Sequence, residues 1–163
     1  MEPQTLLFSL SRALNPKKAL LPAPTFAEYE QALVSVGCEI SRYYLKEEND
    51  FCIQGDYPDI LKREKPDIIF LCNPNNPTGI TVPQDLLEEI LETCAMQGIF
   101  MVVDECFLDF VKDPEKHTLK EKLEKYPGLF ILKAFTKRYA IPGVRLGYGF
   151  CSDREVLDRM EAV

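Results

Sequence analysis

The sequence predicts an α/β fold, a mostly parallel sheet with helices on both faces. Short β-type runs alternate with longer segments of helical period along the chain. One of the short runs, the strand 67–72, is apolar without interruption from Ile68 to Cys72, as a strand buried on both faces requires. A dense cluster of turn formers follows directly after it.

Taken in order, residues 5–14 place Leu6, Leu7, Leu10, Ala13 and Leu14 on one helical stripe, and 18–22 reads as a strand. A helix over 26–36 is expected to end at Gly37. A strand over 39–45, a short helix over 58–64 and the buried strand 67–72 come next. Residues 73–79 read Asn-Pro-Asn-Asn-Pro-Thr-Gly, which no helix or strand interior tolerates. Pro83 suits the first turn of a helix running to about Gln97 and ended by Gly98. Residues 99–103 form another buried strand, with Asp104 and Glu105 at its end. A weak helix near 119–125, strands at 129–132 and 146–151, and a last helix over 153–162 complete the chain. Ser152 and Glu155 are spaced as a capping box for that helix. No repeat, low-complexity segment or linker divides the sequence.

The 163 residues, 46% hydrophobic and 28% charged, suit one soluble globular domain with a sufficient core and exclude disordered and fibrous classes. Twenty-six acids against nineteen bases leave a net charge of −7, which argues against nucleic acid and anionic lipid as partners. The longest apolar runs are too short to span a bilayer, and no leader-like segment opens the chain, so a cytoplasmic protein is expected. The six cysteines lie at least 12 positions apart beside a single histidine, so zinc-type ligand spacing is absent and reduced, core-packed thiols are expected.

Ligands of open α/β sheets bind beyond the carboxyl ends of the strands. Three such ends carry polar groups here: 73–79, Asp104 with Glu105, and 133–145. Lys137 lies among Phe135, Tyr139 and Ile141, and an amine in apolar surroundings near other cations is the type that forms Schiff bases. An isolated lysine is ordinarily a surface group. Arg145, after a Pro-Gly turn and before an apolar strand, suits a phosphate or a structural ion pair. Asp104, ending a buried strand, needs a cationic or hydrogen-bonding partner or serves as a cap. Asn76 has an amide able to donate to an oxygen, or is a turn residue only.

Together and in this order, these residues resemble the fold-type-I pyridoxal-phosphate enzymes, the aminotransferase class I/II family. The resemblance rests on Asn-Pro-Thr-Gly at 76–79, on Asp104 after the following strand, and on Lys137 eight residues before Arg145. It implies that Lys137 holds pyridoxal 5'-phosphate as a Schiff base and that Asp104 pairs with the protonated pyridine nitrogen. It further implies that Asn76 donates to the ring's phenolic oxygen, Arg145 holds the phosphate and Phe26 stacks on the ring. Phe107 stands where many members have a tyrosine that bonds the phenolic oxygen, and Ala134 where a phosphate-binding serine is common; Thr136 offers a hydroxyl instead. Residues 104–110 and 135–148 look most like threonine-phosphate decarboxylases of cobalamin biosynthesis, with histidinol-phosphate aminotransferases as close relatives.

The resemblance implies a lyase acting on a phosphorylated amino acid, or a histidinol-phosphate-type aminotransferase. The orientation of the substrate's carboxylate and hydrogen about Cα decides between them. Members of the family are more than twice as long. The 163 residues are therefore expected to be the central part of a large cofactor-binding domain, without the N-terminal arm, the phosphate-cradle turn and the C-terminal small domain. A homodimer is expected for the full-length parent, and little turnover for the chain alone. A non-catalytic α/β binding module is the alternative from another class.

Overall fold

A computed structural model of the protein describes residues 3–141, 143 and 146–163. The elements are α1 (Pro3–Leu14), β1 (Lys18–Ala23), α2 (Glu28–Val34), β2 (Glu39–Tyr44), α3 (Tyr57–Glu64), β3 (Ile68–Cys72), α4 (Gln84–Gln97), β4 (Phe100–Asp104), β5 (Leu129–Ala134), α5 (Phe135–Arg138), β6 (Gly147–Cys151) and α6 (Arg154–Glu161). One six-stranded sheet runs β2-β1-β3-β4-β5-β6. Its first five strands are parallel, and β6 returns antiparallel on β5.

Because side chains alternate across a strand, each inner strand feeds two cores. Ile68, Phe70 and Cys72 of β3, Val102 of β4, and Phe130, Leu132 and Ala134 of β5 join Leu7 and Leu10 of α1, Tyr29 and Leu33 of α2, and Val156 of α6. Ile69, Leu71, Met101, Val103, Leu129 and Ile131 point the other way, onto Tyr57 and Leu61 of α3 and Leu87, Ile90 and Leu91 of α4. Burial on both faces is why β3 reads as a continuous apolar run. Each fully buried Leu or Ile contributes about 1.5–3 kcal/mol of transfer free energy.

Three local readings are corrected. Residues 119–125 hold only a 3-10 turn at Lys120–Lys122, because Leu119 is drawn into the core and its N–H goes to Glu105 rather than to a helix. The cap of α6 is Asp153, whose Oδ1 accepts from the Glu155 and Val156 amides, while Ser152 donates to the Leu123 carbonyl. Pro83 directly precedes α4 with extended ψ instead of occupying its first turn. The C-terminal signals at Gly37 and Gly98 correspond to left-handed backbone, φ +73° and +70°. No helix among the described residues is long and apolar enough to cross a membrane.

Candidate active site

Alternation along β4 decides which acid faces what. Val102 points to the face covered by α1 and α2, so Asp104 does too, in register with Cys72 on β3 and Leu132 on β5. Asp104 is 6% exposed. Its Oδ2 accepts from the Tyr29 hydroxyl at 2.7 Å and its Oδ1 from the Cys106 amide at 2.9 Å. A carboxylate has about four lone-pair positions, so two bonds from neutral donors leave capacity for a further donor or a cation.

Beside this acid lies a cleft of about 330 Å³, in the size range of small-molecule sites. Phe26, Asn76, Asp104, Thr136 and Lys137 all line it, so five of the six residues singled out from sequence come together. The sixth, Arg145, lies outside the described residues. Phe26 reaches the cleft from the turn between β1 and α2 and packs edge-on against Tyr29, centroids 5.5 Å apart. Tyr29 in turn stacks on Phe70 at 5.1 Å. One aromatic column therefore supports both a cleft-lining ring and the hydroxyl that holds Asp104.

Lys137 stands on α5, immediately after β5, with its ammonium over the Phe107 ring at 5.0 Å. Phe107 and Ala134, the two departures from the family pattern, both line the cleft. So do Pro3 and Gln4 of the first turn of α1, which brings the positive end of a helix dipole to its wall.

Sequence reasoning passed over Tyr29, Cys72 and Cys106. Burial drives the Tyr29 hydroxyl well above its ordinary range, reinforced by the Asp104 charge, so it remains a proton donor. Burial likewise pushes Cys72 up to about 12 and Cys106 higher, with Asp104 adding to both. These thiols line the cleft without supplying a thiolate nucleophile. Among the described residues no His, Cys, Asp or Glu group suits a metal ion.

A largely apolar crevice at the carboxyl ends of parallel strands, holding an amine and a buried carboxylate, defines a small-molecule site of the open α/β type. The model of the family Aminotransferase class I and II matches residues 4–163, and the chain belongs to that family. It is 38% identical over 159 residues to the threonine-phosphate decarboxylase of Salmonella typhimurium, covering 94% of this chain and 42% of that protein. It is 34% identical over 140 residues to the histidinol-phosphate aminotransferase of Ruminiclostridium cellulolyticum, covering 84% and 37%. The crystal structure of the histidinol-phosphate aminotransferase from Clostridium acetobutylicum superposes with a TM-score of 0.85 at 30% identity, over 97% of this chain and 46% of that one. The chain thus spans about two fifths of the length of the curated relatives it matches.

Proposed function

We propose that these residues form the cofactor-binding part of a pyridoxal-phosphate lyase that decarboxylates a phosphorylated amino acid. The observation that carries this reading is the meeting of Lys137 and Asp104 in one cleft of ligand size. Bound there, pyridoxal phosphate supplies an electron sink for a bond at the substrate's Cα. Lys137 is the amine for covalent attachment. Asp104, held by Tyr29 and Cys106 with capacity to spare, keeps a proton on a ring nitrogen. Phe26 offers a ring face and Asn76 a donor for the phenolic oxygen, at which Phe107 has no hydroxyl to give. Arg145, Thr136 and the first turn of α1 are assigned to the phosphate.

The relative named as a threonine-phosphate decarboxylase supports the lyase over transamination. The second reading, a histidinol-phosphate-type aminotransferase, is favoured by the relative and the solved structure of that name. The proposal includes a cytoplasmic homodimer in which the remaining substrate-gripping groups come from sequence beyond these residues. Borohydride reduction with pyridoxal phosphate, followed by peptide mapping, is expected to label Lys137. No adduct there would leave a non-catalytic α/β binding module. In the longest natural chain containing these residues, release of carbon dioxide from threonine phosphate is expected; glutamate-dependent amino transfer instead would establish the second reading.

A further inference from the structure

β1 and β3 are neighbours in the sheet, yet they share only two register pairs, Ala19 with Ile68 and Leu20 with Ile69. Beyond these, β1 stays with β2 as far as Ala23, and β3 stays with β4 as far as Cys72. The sheet is therefore split at its carboxyl edge. The split falls where the strand order changes direction, with β2 laid to one side of β1 and β3 to the other. The loop leaving one lip carries Phe26 and the loop leaving the other carries Asn76, and both residues line the cleft. The β1–β3 ladder ends before either lip, so it does not set the distance between them.

The side chain of Asn75 spans that gap. Its Oδ1 accepts from the Thr25 hydroxyl at 2.8 Å, and its Nδ2 donates to the Pro24 carbonyl at 3.1 Å and to Thr78 Oγ1 at 3.0 Å. Both the donor and the acceptor end of the carboxamide are engaged. Its backbone is fixed within its own turn, with its N–H on the Ile80 carbonyl at 2.8 Å and its carbonyl accepting from Gly79 at 2.7 Å. Asn75 is therefore anchored to one lip and reaches the other.

We infer that Asn75 is a positioning residue, a clasp across the split between β1 and β3 that sets the separation of Phe26 and Asn76. Phe26 follows Thr25 and Asn76 follows Asn75, so each cleft residue is one peptide from the clasp. A planar ligand gripped by a ring face on one side and an amide on the other needs that separation constant. Ala or Leu at 75 satisfies neither end of the bridge. The inference rests on the cofactor reading above, and its test separates the two.

Thr25→Val removes one of the two bonds across the split at nearly constant volume, and Asn75→Ala removes both together with the bond to Thr78. In the ligand-free chain, exchange of the Gly79 amide is expected to rise about three- to tenfold in Thr25→Val, as for loss of one net hydrogen bond, while α4 amides stay unchanged. Pyridoxal phosphate is expected to bind about three- to tenfold more weakly to Thr25→Val and about tenfold or more to Asn75→Ala, with altered circular dichroism of the bound chromophore. The double variant should be no worse than Asn75→Ala, because both act on one bridge. Wild-type exchange in the variants overturns the clasp. Faster exchange with unchanged affinity and dichroism overturns the positioning role, leaving a structural one. A wild-type chain that takes up no cofactor overturns the cofactor reading instead, and the exchange experiment still decides the clasp.

Discussion

Asp104 and Glu105 are adjacent acids at the end of β4, but the pleat sends them to opposite faces of the sheet. Asp104 meets two neutral donors and borders the cleft. Glu105 is fully buried, ion-paired to Lys133 at 2.8 Å, and bonded by the Thr118 hydroxyl and the Leu119 amide. Lys133 is there because it shares parity with Leu129 and Ile131, on the side of α3 and α4. An acid saturated by its own chain is architecture, here fixing the segment that connects β4 to β5. An acid left with open lone pairs beside a cavity is available to a ligand.

The contrast can be broken from either side. Glu105→Ala takes from the nearly buried Lys133 ammonium its Glu105 partner and frees the Leu119 amide, so a stability loss of about 3–5 kcal/mol is expected in urea unfolding. Replacing both partners by apolar residues should recover much of it. Asp104→Asn is nearly isosteric but turns one of the two accepting oxygens into a donor facing Tyr29 or Cys106, so a smaller stability loss of about 1–3 kcal/mol is expected. In the longest natural chain, however, it should lower turnover roughly 10²–10³-fold, the scale for losing one preorganised electrostatic partner. Comparable losses of turnover from both variants, in folded protein, would erase the distinction. Tyr29→Phe removes one donor from a buried carboxylate and should cost about 2 kcal/mol of stability while shifting the pH profile of turnover, which a purely packing role would not move.

The smallest effect concerns buried thiols and applies to both faces. Burial raises Cys94, on the buried face of α4, from the ordinary 9.0 to about 12, as it does Cys72 in the cleft. Below pH 9 folded and unfolded chains both keep these protons, so no pH dependence arises from them. Above 9 only the unfolded chain releases them, and stability falls as pH rises toward 12 by about 1.4 kcal/mol per unit for each thiol. Cys94→Ala should make that alkaline slope shallower by one proton's share, measured by urea unfolding at stepped pH.

Much of this arrangement was legible in the chain. The strand ends at Cys72 and Asp104, the turn chemistry after β3 and the lysine after β5 were local signals, and parallel strands bring their carboxyl ends together whatever the intervening lengths. Tyr29 was not legible in the same way, because its bond to Asp104 closes a separation of 75 residues. A signal for it existed: Asp104 shares parity with Val102, and Tyr29 lies on the buried stripe of α2 with Ala32 and Leu33. The Thr25–Asn75 bridge had no such signal, since it depends on where the β1–β3 ladder stops. The helical reading of 119–125 failed because a buried carboxylate 14 residues away claimed the Leu119 amide.

Gly147, at the start of β6, lies directly against the first residue of α1. A methyl group added there would stand 2.6 Å from Pro3 Cγ and 2.9 Å from Pro3 Cα, so the helix itself would have to move rather than a flexible side chain. Pro3 and Gln4 are wall residues of the cleft. The width of the site is thus tied to a missing methyl on an edge strand that does not line it. Substitution at this glycine belongs, in its effect on ligand fit, with substitutions inside the cleft, and a library built only from cleft-lining positions would leave it out.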